Sequence, residues 1–143
     1  MEHKIITKSK GNMAFVSSIE NHDIVMDAHK EFGGNDEGPS PKQLLLSALS
    51  GCTGMDVVSL LKKMRVEYDD FHIEVTGTLT EDHPKYYNKI NLEYSFVGSD
   101  LNKAKIEKAV NLSQERYCGV SYMLGQAAKL TYNITINEPA ETN

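Results

Sequence analysis

The sequence predicts an α+β domain with mostly antiparallel strand pairing. Three observations point that way. Short β-branched and aromatic segments open the chain, separated by turn residues; a long apolar helical stretch begins at Pro41; and two alternating segments follow, around Phe71–Thr78 and Ile90–Phe96. With 143 residues and no linker, repeat or low-complexity segment, residues 1–143 read as a single domain.

Lys4–Thr7, Met13–Ser17 and Asp23–Met26 are the opening strands, with KGN and ENHD as turns between them. They predict an N-terminal β-meander. The loop EFGGNDEGPSP follows. Ser40 then fits an N-cap, Pro41 the first helical position and Gln43 the partner of an S-x-x-Q capping box. The helix runs to about Met64. Next, Phe71, Ile73, Val75 and Gly77 share one face of a strand, and His72, Glu74, Thr76 and Thr78 share the other. After EDHPK, the residues Ile90, Leu92, Tyr94 and Phe96 form the apolar face of its partner. Ser99 or Asp100 caps a second helix ending near Tyr117, a third runs over about Val120–Leu130, and LTYNITI closes the chain as a strand.

Composition is that of a globular protein, 40% hydrophobic and 24% charged. No uninterrupted apolar run approaches the ~18–20 residues of a membrane helix, so no membrane partner is expected. The N-terminal MEHKIITKSK lacks the apolar stretch of a signal peptide, and a cytoplasmic location is the expectation. Net charge is −5 with no dense basic block, which argues against nucleic acid.

The only cysteines are Cys52 and Cys118. A reducing cytoplasm disfavours a permanent disulfide, and without a CxxC or Cys/His cluster neither a metal site nor a cofactor is expected. Inert thiols or a reactive pair remain. Cys52 lies in LSGCTGMDV, inside the first helix. A glycine within a helix costs about 0.8–1 kcal/mol relative to alanine, so Gly51 and Gly54 ask for a reason. One reading is tight packing around a small buried thiol. The other is a space cleared beside Cys52 for a substrate or a second sulfur. Cys118 sits in SQERYCGVSYML, at the start of the third helix, where free N–H groups favour a thiolate. The first helix is apolar around most of its circumference, which predicts burial on all sides and a dimer that shares it.

The segments PSPKQLLLSALSGCTGMDVVSLLKK and DLNKAKIEKAVNLSQERYCGVSYML, together with the element order, resemble the OsmC/Ohr family of thiol-dependent hydroperoxide reductases over nearly the whole chain. The resemblance implies an OsmC-like fold and an intertwined homodimer with two sites at its interface. It implies that Cys52 attacks an organic hydroperoxide, releases an alcohol and becomes a sulfenic acid. Cys118 then resolves it as a disulfide, and a dithiol reductant resets the pair.

The chain departs from the pattern at one point. Peroxidases of this family activate the first cysteine with an N-terminal arginine held by a glutamate. Here Lys42 occupies the glutamate position and no arginine precedes Arg65. Lys42 lies ten residues before Cys52, about 15 Å along a helix, too far for contact. His29, Lys30 and Arg116 are the cationic candidates to offset burial of the thiol. The sequence looks closer to a branch that keeps both cysteines without the Arg/Glu pair.

Glu115 reads as a solvated carboxylate or the partner of Lys108 or Arg116, with a general-acid role as the sharper option. Asp56, four residues past Cys52, is placed to accept a hydrogen bond from a partner strand or helix and reads as structural. Tyr117 and Tyr122 either line an apolar substrate pocket or pack the core, and the five histidines have no metal-ligand spacing. Three function classes stand: a two-cysteine peroxidase, a dimer that binds a small apolar or thiol-reactive ligand at its interface, and a structural dimer with inert thiols.

Overall fold

The computed structural model of the chain describes residues 1–141. It is a mixed α+β structure with two compact units, Met1–Leu45 and a second beginning at Leu46.

The first unit is the meander. Strands β1 (Ile6–Gly11), β2 (Ala14–Ile19) and β3 (His22–Met26) pair antiparallel in sequential order. β1 lies further along than its apolar residues suggested, because KSKG pairs with β2 through backbone groups whatever its side chains. The turns use Asn12 and Glu20 at positive φ, 49° and 53°. Past β3, the buried Asp27 organises the Gly-rich loop: its Oδ1 accepts from Ala28 N–H at 2.7 Å, and its Oδ2 accepts from Asn35 and Glu37 N–H, each at 3.1 Å. Burial pushes that carboxyl's pKa up, but the three N–H donors outweigh it and hold it below the usual value.

Helix α1 (Pro41–Lys63) begins as expected. Gln43 Oε1 accepts from both the Ser40 N–H and its hydroxyl at 3.0 Å. It ends in a Schellman motif with Arg65 at φ 56°, the Val66 N–H donating to Leu61 C=O and the Arg65 N–H to Lys62 C=O. By length and composition alone α1 could cross a bilayer, contrary to the count of uninterrupted apolar residues. Small polar residues and Asp56 break the apolar run, yet the leucines and valines still carry the average. Its placement is that of a core helix: Leu49, Thr53, Val57 and Leu61 form one buried stripe. The outer face is open within one chain, where Met55 is 76% and Val58 42% exposed.

In the second unit, β4 (Asp70–Leu79), β5 (Tyr87–Val97) and β6 (Lys129–Asn137) form a sheet with β5 central. β4 runs antiparallel to β5 and β6 parallel to it. A parallel pair needs a crossover, and residues 98–128 supply it with α2 (Lys103–Leu112), a π-type turn (Ser113–Tyr117) and α3 (Gly119–Gly125). The alternation read from sequence holds: Ile90, Leu92, Tyr94 and Phe96 are fully buried and cluster with Phe71, Ile73, Val75, Leu49, Val57 and Leu61. Each such side chain contributes about 1.5–3 kcal/mol by leaving water.

Two boundaries differ from expectation. Asn102, not Ser99 or Asp100, caps α2 by accepting from Lys105 N–H at 3.1 Å; Asp100 instead takes a left-handed turn conformation, φ 55°. Helix α3 stops at Gly125, not near Leu130, because Lys129 onward pairs with β5.

Candidate active site

Cys52 lies mid-way along α1, one position before the buried Thr53. Cys118 comes from the crossover. After α2 the helix widens by one residue, so the Cys118 N–H donates to Ser113 C=O at 2.8 Å, an i→i−5 bond. That bulge ends at Cys118, which becomes the N-cap of α3: its Sγ accepts from Ser121 N–H at 3.3 Å. The two cysteines, distant in sequence, come together. Cys52 Sγ, Cys118 Sγ and an Asp56 carboxylate oxygen all lie within 4.8 Å of one another. Both thiols are free, Cys52 partly exposed and Cys118 buried.

The start of α3 does not lower the Cys118 pKa as its position suggested. Burial pushes its pKa up, the nearby Ser121 hydroxyl and N–H pull it down, and the Cys52 sulfur beside it pushes it up again. The net direction is upward, because a seven-residue helix offers few free N–H groups against desolvation. The Ser121 hydroxyl makes no well-directed hydrogen bond among the described residues, though it sits near enough to Cys118 to favour the charged sulfur.

Around the thiols runs a polar network that the sequence reading did not find. Thr53 Oγ1 lies 2.7 Å from both Tyr94 Oη and Ser113 Oγ. Ser113 Oγ donates to Asp56 Oδ2 at 2.9 Å, and Gln114 Nε2 donates to Tyr94 Oη at 2.6 Å. Asp56 therefore joins the site through Ser113 as well as through its approach to both sulfurs. The spacing of Asp56 from Cys52 was the available signal, since the i+4 position lies beside a thiol on a helix; Thr53, at i+1, faces away from it and carried no such signal.

The glycines do not act as expected within the chain. An added Cβ at Gly51 would meet nothing within 4 Å, and at Gly54 only Ile73 Cδ1, at an ordinary 3.4 Å. Neither makes room for the Cys118 segment. The close approaches lie elsewhere: a Cβ would collide with the Ala28 carbonyl at Gly34 and the Val25 carbonyl at Gly38, and at Gly77 it would come within 2.6 Å of the Tyr87 ring.

A cleft of about 500 Å³ opens beside Cys118, lined among others by Glu115, Arg116, Tyr117, Tyr122 and Tyr132. Tyr117 and Tyr122 are exposed at it, so they do not pack the core. Glu115 makes no ion pair with Lys108 or Arg116 among the described residues; it faces the cleft and, after burial, is the second cause of a raised Tyr132 pKa. Arg116 is exposed, its guanidinium carbon 5.5 Å from the Tyr117 ring centre. His29 is bound to Asp36, Nδ1 to Oδ1 at 2.7 Å, and Lys30 begins a short 3₁₀ turn.

The family model for OsmC-like proteins matches residues 33–133. The chain belongs to the OsmC family. This OsmC-like protein is 36% identical over 119 residues to Protein YhfA of Escherichia coli K12, covering 83% of this chain and 86% of YhfA. A hypothetical protein from Aquifex aeolicus shares its structure with a TM-score of 0.86 at 29% identity, over 98% of this chain and 99% of the other. The organic hydroperoxide resistance protein OhrB of Bacillus subtilis shares the fold, with a TM-score of 0.64 at 19% identity over 94% and 98% of the two chains. Family membership and two adjacent thiols are compatible with peroxidase chemistry.

Proposed function

We propose that this OsmC-like protein reduces organic hydroperoxides with Cys52 as the attacking thiol and Cys118 as the resolving thiol. The observation that carries this reading is the approach of the two sulfurs to within 4.8 Å, from α1 and from the crossover. Cys52 is the partly exposed member and Cys118 the buried one, which suits attack by the first and resolution by the second.

The steps balance. Cys52 sulfur attacks the peroxide oxygen distal to carbon, the O–O bond breaks, and the alkoxide takes a proton to leave as an alcohol. The sulfenic acid Cys52–SOH condenses with the Cys118 thiol, forming the disulfide and releasing water. A dithiol reductant then exchanges with the disulfide and restores both thiols. Asp56, held by Ser113 and close to both sulfurs, is the group placed to accept the Cys52 proton. An apolar tail fits the tyrosine-lined cleft beside Cys118.

The chain acts as one OsmC-like domain, residues 1–143, and pairs with a second copy through the open face of α1, where only 22% of the most apolar stretch is buried within one chain. A reducing cytoplasm keeps the pair as thiols between turnovers.

Mass spectrometry after one equivalent of cumene hydroperoxide tests the chemistry. A Cys52–Cys118 disulfide, abolished in Cys52→Ser, is expected. Unmodified thiols would reject it in favour of a dimer that holds a small apolar or thiol-reactive ligand in the cleft.

A further inference from the structure

We infer that the reduced site is also a three-donor site for a thiophilic divalent cation such as Zn²⁺, held by Cys52 Sγ, Cys118 Sγ and an Asp56 carboxylate oxygen. All three donors lie within 4.8 Å of one another, none is freely exposed, and each comes from a different local setting: the middle of α1, one turn further along it, and the N-cap of α3.

The dimensions suit a small tetrahedral ion. Zinc takes thiolate sulfur at about 2.3 Å and carboxylate oxygen at about 2.0–2.2 Å, which sets neighbouring donors roughly 3.5–3.8 Å apart in a tetrahedron. Side-chain rotation covers the difference from the observed spread. Two thiolates and one carboxylate favour zinc over magnesium or calcium, which prefer oxygen alone. The surroundings orient the donors: Ser121 N–H already donates to Cys118 Sγ at 3.3 Å, and Ser113 Oγ fixes the Asp56 carboxylate at 2.9 Å. Three protein ligands leave a fourth position for water or an external thiol.

Binding releases one proton from each thiol and changes no oxidation state. It supplies positive charge to two neighbouring sulfurs, one of them buried. The donor set consumes both sulfurs, so metal and disulfide exclude one another. That exclusion rests on the peroxidase reading; the metal site itself does not. Within that reading, the metal-loaded form is resistant to peroxide and the oxidised form releases the ion.

The test is an anaerobic titration of the reduced full-length protein with Co²⁺. One equivalent per chain is expected, with an intense thiolate-to-cobalt charge-transfer band and the visible bands of a tetrahedral ion. Zn²⁺ then displaces it, following the general affinity order. Cys52→Ser and Cys118→Ser each weaken the charge-transfer band. Asp56→Asn lowers affinity by at least ~100-fold, and Ser113→Ala, which keeps every ligand, by roughly 10-fold. No charge-transfer band at one equivalent overturns the site. Unchanged affinity in folded Asp56→Asn, or in Ser113→Ala should the first variant not fold, overturns the third ligand. Protein carrying the disulfide, made with diamide, binds no Co²⁺; retained binding overturns the exclusion. Failure of hydroperoxide to form that disulfide leaves the titration of reduced protein untouched, so the two readings fail separately.

Discussion

The hydroxyl of Ser113 donates to the Asp56 carboxylate across 2.9 Å, tying the end of α2 to α1 one turn beyond Cys52. The same hydroxyl lies 2.7 Å from Thr53, which reaches Tyr94 on the central strand. Helix, crossover and sheet thus meet at one polar point beside the thiols, inside an otherwise apolar core.

Thr53→Val keeps the shape of that point and deletes its shared oxygen. Tyr94 retains Gln114, but Ser113 loses a partner in a buried setting. The expected cost is about 1–3 kcal/mol, read from urea unfolding. A loss below about 0.5 kcal/mol would mean the network is incidental to stability.

Alkaline pH should weaken the fold. Burial raises the pKa of Cys118, Tyr94 and Tyr132 above their ordinary values. The folded state therefore favours the protonated forms. Their contribution is fully present below the unfolded-chain values, about 8.5 for Cys and 10 for Tyr, and is lost as pH rises through the folded ones. Alkylation of Cys118 in the native protein should be slow at neutral pH and accelerate only in the alkaline range. Fast labelling of Cys118 at pH 7 contradicts this assignment.

Acid acts on the first unit through Asp27. Its folded pKa is depressed: burial raises it, but three backbone N–H donors more than offset that. The stabilisation is present above the unfolded value of about 3.9 and fades as pH falls through the lower folded one. Asp27→Asn should loosen the loop 27–39 at neutral pH, seen as faster amide exchange at Asn35 and Glu37. Exchange unaltered at both amides would remove Asp27 as the organiser.

Glycine replacements separate the two sides of α1. Gly54→Ala meets only Ile73 at contact distance, so it should stabilise the chain by up to about 1 kcal/mol. Gly51→Ala meets nothing within its own chain. If a second copy packs there, this variant shifts sedimentation toward monomer on dilution while leaving the isolated chain intact. Identical sedimentation for both variants and the parent would place the dimer contact elsewhere.

Much of the fold was legible because it depends on local patterns. The two-residue alternation of Phe71–Gly77 and Ile90–Phe96 named the inner face of the sheet, and Ser40-Pro41-Gln43 named the start of α1. What escaped depends on partners remote in sequence. Asn102 takes the cap because Asp100 is spent on a left-handed turn. The glycines around Cys52 suggested a crowded crossing, whereas the crossing is made by side chains, Thr53 to Tyr94 and Ser113, and no glycine signals it. Asp56 looked like a scaffold residue because its neighbours on α1 are apolar; Ser113 and Cys118, which give it a chemical setting, arrive from beyond β5.

The parallel pairing of β5 and β6 has a consequence during synthesis. Strand β6 follows the other described elements, and it anchors the far end of the segment that carries Cys118. A ribosome that has released α1, β4 and β5 has exposed Cys52 without its counterpart, and long-range pairing must wait until residues 129–137 emerge. For that interval the first sulfur has no neighbouring thiol, and the two come together only once residues 129–137 have emerged.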